Sequence, residues 1–332
     1  MITFSIAFQS NKKPHEYEAL ADLVDHYGFD VVSVYNDLLF QPALGPLILM
    51  ARRLKRAHVG FAALNPYTVH PVEIAGQIAM LDMVSQGRAY LGLVRGAWLD
   101  QIGVATTQPV QTLRETALVV QYLLAGNTGG FNGEIYQLAE RVKLNYAPYR
   151  THVPLMIGTW GKQTAKLAGE IADEVKIGGS ANPAVVGWLR QFIAQGERLA
   201  GRLEKTVGVC LGAVTVVDED RSAARAWVRR EAAMYLPVIA PLDPTIDDPE
   251  WMERVMLLDK HKDYEAISKL ISDEMLDRFT IAGNAHDIIE HVERLQTEGC
   301  TRVEFGTPHG LVSERGIRIL GEKVLPHFNK AQ

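Results

Sequence analysis

The chain alternates short, mostly apolar runs with longer amphipathic ones. The short runs fall at 2–8 (ITFSIAF), 30–35 (DVVSVY), 57–63 (AHVGFAA), 88–93 (RAYLGL), 153–157 (VPLMI), 173–177 (DEVKI), 206–217 (TVGVCLGAVTVV) and 301–306 (TRVEFG). They are rich in β-branched or aromatic residues and mostly apolar on both faces, the pattern of parallel strands covered on both sides. The runs between them predict helices over 14–27, 44–54, 70–85, 161–171, 182–201, 218–236, 284–298 and 313–325. Pro14 stands near one helix start and Gly28 just past its end, the expected asymmetry of helix termini. Within 70–85, Val72, Ala75, Ile78, Ala79 and Met83 share one stripe, and Gly87 follows as a stop. Eight strands alternating with helices predict an α/β chain folded as a (β/α)8 TIM barrel, with an open doubly wound sheet as the alternative.

Two segments exceed the simple βα unit. Residues 126–152 are Gly-rich and irregular. Residues 237–276 carry Pro237, Pro241, Pro244 and Pro249 and then a helical stretch from about 250. This is a helical insertion before the last βα unit, read either as a lid over one end of the barrel or as a plain surface helix pair. The whole chain, 1–332, reads as one barrel domain carrying that insertion.

Of 332 residues, 34 are Lys or Arg and 39 Asp or Glu, giving a formal net charge of −5. That balance argues against a general electrostatic grip on nucleic acid. A hydrophobic fraction of 47% supplies a full core, which excludes disorder as the main state. No uninterrupted apolar stretch has the length of a membrane span, about 18 residues. MITFSIAF reads as a first strand rather than a leader, so the cytoplasm is the expected compartment. Cys210 and Cys300 each lie in an apolar run and read as buried free thiols, and no Cys/His spacing suggests a metal site.

In a barrel of this type the loops after the strands carry the chemistry. Here they hold Gln9, Ser10 and Asn11; Asn36 and Asp37; Asn65; Arg95, Gly96 and Trp98; Gly158, Thr159, Trp160, Gly161 and Lys162; Gly178 and Gly179; and Gly306 to Gly310. The set is rich in Gly and Asn and has no nucleophile elbow, zinc helix or Walker loop. Such loops suit a bound cofactor that does the redox work. The best anion site is Gly158 to Lys162, where a strand meets a helix N-terminus whose first N–H groups lack partners. Its glycines admit a phosphate to the backbone and Lys162 adds charge.

NPYTVHPVEIAGQIAMLDMVSQGRAYLGL (65–93) resembles the strand 3 to strand 4 signature of the bacterial luciferase-like superfamily, more narrowly the branch that uses the deazaflavin coenzyme F420. PLMIGTWGKQTAKLAGEIADEVKIGGSANP (154–183) is similar to that branch's strand 5 to strand 6 unit. EFGTPHG and LGEKVLPHF resemble the end of methylenetetrahydromethanopterin reductases. The resemblance implies a flavin-like ring at the C-terminal ends of the strands and a non-proline cis peptide near Ala62 and Ala63. It implies cofactor contacts at Ala62, Ala63, Asn65, Arg95, Gly96 and Trp98. The side-chain phosphate would lie near Gly158, Thr159, Gly161, Lys162, Gly178 and Gly179. It also implies a homodimer or higher homo-oligomer, through helices 14–27, 44–54 and 70–85.

The sequence departs from that pattern at three points. Asn36-Asp37 stands where many deazaflavin enzymes have Asp-His, Ala7 stands where the reductases have a Glu in strand 1, and Arg95-Gly96-Ala97 occupies the stretch where they carry an Asp after strand 4. The scaffold and cofactor site therefore carry over better than the substrate. The expected activity is hydride transfer between coenzyme F420 and a small organic substrate. An FMN-dependent monooxygenase and a non-catalytic flavin-binding paralogue are the alternatives. Asp37, directly after an apolar strand, is the expected general acid/base, with Asn36 bonding to substrate or to Asp37. A carboxylate beside an anionic cofactor loses water and meets like charge; both raise its pKa.

Overall fold

The computed structural model describes residues 2–329. Eight strands, β1 (Thr3–Phe8), β2 (Val31–Val34), β3 (His58–Phe61), β4 (Ala89–Leu93), β5 (Leu155–Gly158), β6 (Glu174–Gly178), β7 (Gly208–Val217) and β8 (Arg302–His309), pair in chain order. β8 pairs back onto β1, so the ring closes as an eight-stranded parallel barrel. One further strand, Thr280–Gly283, pairs parallel with the end of β7 outside that ring.

The helices are α1 (Pro14–Tyr27), α2 (Leu44–Arg53), α3 (Pro71–Val84), α4 (Pro109–Leu124), α5 (Lys162–Ile171), α6 (Pro183–Leu199), α7 (Arg221–Ile239), α8 (Pro249–Lys260), α9 (Tyr264–Leu270), α10 (Asp273–Phe279) and α11 (Ala285–Thr297). The last helical stretch breaks into Ser313–Ile319, a π-helical turn over Leu320–Val324 and Leu325–Asn329. α1 follows from its termini. Pro14 presets the first turn, Glu16 accepts the Lys13 N–H at 2.7 Å, and Gly28 ends the helix in the left-handed region at φ 77°.

The chain packs as two compact units. One spans Ala7–Val175 and Phe192–Val207. In it the irregular excursion at 126–152 forms a two-stranded antiparallel hairpin, Phe131–Asn132 with Gln137–Leu138. Its turn is anchored by Glu115 of α4, which is 3% exposed. The carboxylate accepts the backbone N–H of Glu134 and Ile135 at 2.8 Å, that of Tyr136 at 2.9 Å, and the Gln111 amide at 2.8 Å. Burial pushes its pKa up; the N–H groups of Tyr136, Ile135 and Glu134 and the Gln111 amide outweigh this and hold it below the ordinary carboxylate value. A depressed folded-state pKa stabilises above the unfolded value and is lost as pH falls through the folded one. Glu115→Gln is therefore expected to cost about 1–3 kcal/mol at neutral pH. The gap between variant and wild type should close as pH drops below about 4. Thermal unfolding of both proteins across that range checks this; a pH-independent difference rules the carboxylate charge out.

The other unit takes in the described parts of Met1–Ile6, Lys176–Gln191 and Gly208–Gln332. Its apolar core joins α7 to the insertion: Val228, Ala233 and Leu236 pack with Val255 of α8, Ile267 of α9 and Leu276 of α10. Two expectations change here. α7 continues past Pro237 to Ile239, because Leu236, Pro237 and Ala240 are buried on the core side. The strand Thr280–Gly283, unmarked by the hydrophobic pattern, forms between the insertion and α11.

Inside the same unit lies a charged pair. Lys176 on β6 and Glu304 on β8 form an ion pair at 8% and 0% side-chain exposure. Gly212 on β7 sits in register with Glu304. A Cβ there would stand 3.2 Å from the Glu304 Cβ and Oε1 and from the Lys176 Cε, so glycine leaves the pair its room.

Candidate functional site

Every residue singled out from the sequence lies at or just beyond the C-terminal end of a barrel strand. In the Ala7–Val175 unit, β1 and β2 lie side by side, with the Tyr35 N–H donating to the Phe8 carbonyl at 3.0 Å. This brings Gln9 to Asp37, and the Gln9 Nε2 donates to the Asp37 Oδ2 at 3.2 Å. Asp37 is exposed, so the chain itself does not desolvate it. Asn36 faces another way: its Oδ1 accepts the Ala43 N–H at 3.0 Å and holds the start of α2.

After β3, the peptide bond between Ala62 and Ala63 is cis. Asn65, 9% exposed, uses its Oδ1 to close a turn, accepting from the Tyr67 N–H at 3.1 Å and from the Thr68 N–H and hydroxyl at 3.0 Å. The structure brings Asn65 against Gly96, where a Cβ would lie 3.2 Å from the Asn65 Cβ. Arg95 is exposed. Trp98 is 43% exposed and left-handed at φ 57°, a conformation that costs a bulky residue about 1–3 kcal/mol.

The turn after β5 leads into the start of α5. Gly161 is the N-cap of α5 and no side chain caps the helix. The N–H of Gly161 donates to the Thr159 Oγ1 at 2.8 Å. The Lys162 Nζ lies 5.7 Å from the Phe192 ring centroid, a cation–π contact at the helix start. A Cβ on Gly161 would meet only the Thr159 and Thr164 Oγ1 atoms, at 3.5 and 3.7 Å, which is ordinary contact. Gly161→Leu should therefore fold, with a stability loss of about 1 kcal/mol or less. Cofactor affinity should drop, because the side chain fills the approach to the helix N-terminus. A cofactor Kd changed by less than about threefold, or ~0.7 kcal/mol, removes the phosphate assignment.

In the other unit, Gly178 is exposed with nothing within 4 Å of an added Cβ, and Gly179 is left-handed at φ 77°. The same unit carries a groove of about 720 Å³ lined by Arg221, Arg225, Asp277, Asp287 and His291. Two pairs of its charges are joined, Arg221 with Asp287 at 2.9 Å and Arg225 with Asp277 at 2.7 Å, and none of the residues singled out from the sequence lines it. Among the described residues no cluster of His, Cys, Asp or Glu could hold a metal, and no helix is long and apolar enough to cross a membrane. Cys210 and Cys300 are buried and are not joined in a disulfide.

Sequence reading missed the pairing of Gln9 with Asp37. Both close apolar strands that could be adjacent, and that adjacency is the one signal available in the sequence.

The profile of the luciferase-like monooxygenase family matches residues 2–302. The chain is 28% identical over 334 residues to the 5,10-methylenetetrahydromethanopterin reductase of Archaeoglobus fulgidus, covering 97% of this chain and 98% of that one. It is 27% identical to the F420-dependent glucose-6-phosphate dehydrogenase of Nakamurella multipartita, covering 95% and 93%. Among solved structures, the coenzyme F420-dependent tetrahydromethanopterin reductase of Methanopyrus kandleri superimposes with a TM-score of 0.89 at 25% identity, over 98% of this chain and 99% of that one.

Proposed function

We propose, since this chain belongs to the luciferase-like monooxygenase family, that it is an oxidoreductase moving a hydride between coenzyme F420 and a small organic substrate. The observation that carries this is the end-to-end likeness, 97% of this chain against 98% of its relative, to a reductase of methylenetetrahydromethanopterin. When bound, the coenzyme supplies the hydride chemistry at C5 of its ring.

The residues present fit such a group. The uncapped start of α5 and the open space at Gly178 suit an anionic side chain. In this reading Gly158, Thr159, Gly161 and Lys162, with Gly178 and Gly179, hold the phosphate. Ala62, Ala63, Asn65, Arg95, Gly96 and Trp98 flank the ring. Asp37 gives or takes the proton that accompanies hydride transfer, steadied by Gln9, while Asn36 keeps the β2–α2 loop in place.

A fluorescence titration with oxidised F420 and with FMN, followed by hydride exchange, tests the proposal. F420 should bind at least about tenfold tighter than FMN, ~1.4 kcal/mol, and exchange hydride. Preferential FMN binding with oxygen-dependent turnover overturns the reading in favour of a monooxygenase. Binding of either without exchange points to a non-catalytic flavin carrier. The same reading includes a homodimer or larger homo-oligomer built through α1, α2 and α3, which a purely monomeric sedimentation profile removes. The reading also places the protein in the cytoplasm, a reducing compartment in which the buried Cys210 and Cys300 stay as thiols.

A further inference from the structure

The loop that follows β6 is tied to the insertion by an almost fully buried polar network. Ser180 and Ala181 are 0% exposed, and Asn182 and Asp243 are each 4% exposed. The Asn182 Nδ2 donates to the Asp243 Oδ2 at 2.9 Å and to the Thr245 Oγ1 at 2.8 Å. Asp243 closes its own turn by accepting the Thr245 N–H at 2.8 Å and hydroxyl at 2.7 Å. The other end of the Asn182 amide caps α6, its Oδ1 accepting the Ala184 N–H at 3.1 Å. These partners fix which way the amide points, since a carboxylate demands a donor and an N–H demands an acceptor.

The backbone of the same loop is held at both ends. The Gly179 N–H donates to the Gly212 carbonyl at 2.7 Å. The Ala181 N–H donates to the Arg278 carbonyl at 2.8 Å, and the Ala181 carbonyl lies 2.6 Å from the His291 Nε2. Arg278 in turn donates to the Thr245 carbonyl at 3.2 Å. Ile239, the last residue of α7, packs its Cγ2 3.1 Å from the position a Cβ on Gly179 would take. An insertion closing as a lid would have to break a buried hydrogen bond to a carboxylate, among the costlier ones to leave unmade.

We propose that Asn182, Asp243 and Thr245 are positioning residues that set the Gly178–Gly179 turn, making the insertion a fixed brace for cofactor binding. This rests on the reading of that turn as a phosphate contact. It predicts that cofactor affinity depends on insertion residues that touch no cofactor.

A donor–acceptor exchange tests it. Asn182→Asp keeps an oxygen for the Ala184 N–H but sets a second carboxylate against Asp243. The double variant Asn182→Asp/Asp243→Asn rebuilds the bond with donor and acceptor exchanged. Two quantities are read on the full chain: the Kd for oxidised F420, and amide hydrogen exchange over 178–184 without ligand. The single variant should weaken F420 binding at least about tenfold and speed exchange in that loop, and the double variant should restore both to within about threefold. The brace is overturned if the single variant leaves Kd within that range, or if the double variant fails to restore it, since the proposal rests on that donor–acceptor pair. If wild type binds no F420, the functional reading fails by itself. The brace then stands or falls on whether loop exchange quickens in the single variant and recovers in the double.

Discussion

Asp37→Asn is expected to slow hydride transfer by about 10²–10⁴-fold, the usual worth of a positioned general acid or base. The substitution is close to isosteric, and its amide oxygen can still accept from the Gln9 Nε2 that now reaches the carboxylate at 3.2 Å. Loop geometry and F420 affinity should therefore stay near normal while one limb of the pH–rate profile disappears. Asp37 is exposed in the chain alone, so on the proposed reading it is bound cofactor and substrate that exclude water from it. The competing possibility is that Asp37 only pins the β2–α2 loop to Gln9. In that case turnover and its pH profile survive and only the melting temperature falls. Stopped-flow hydride transfer across pH, with melting curves on the same samples, separates the two.

The largest stability effect should come from inside the barrel. Lys176→Met removes the cation and leaves Glu304, 0% exposed, as a buried carboxylate without its ion-pair partner. The expected loss is about 3–5 kcal/mol. Glu304→Leu should cost a similar amount for the mirror-image reason. The double variant Lys176→Met/Glu304→Leu should recover most of the loss, because desolvating two charges offsets much of what their attraction returns. Melting temperatures of the four proteins measure this directly. Additive losses in the double variant would show that each side chain acts through other partners rather than through this pair.

The hydrophobic pattern by itself determined the eight barrel strands, most helix positions and the βα junctions, because burial on both faces and the helical repeat are written locally in side-chain type. Pro14 and Gly28 bound α1 as read, since their effect is on their own φ angles. The Gly158–Lys162 turn was legible for the same reason: strand, glycines and helix start are contiguous.

Tertiary structure alone decided the rest. Pro237 reads as a helix end, yet α7 runs on because its buried face packs into the insertion core. Thr280–Gly283 holds one large apolar side chain, Ile281, and exists as a strand because β7 offers it an edge. Asn36, next to Asp37 in sequence, is turned to the start of α2 instead. Lys176 finds Glu304 128 positions away, and Asn182 finds Asp243 61 positions away. Parallel strands joined by crossover helices bring together residues of high sequence separation, and no local propensity encodes which polar groups will meet once the ring has closed.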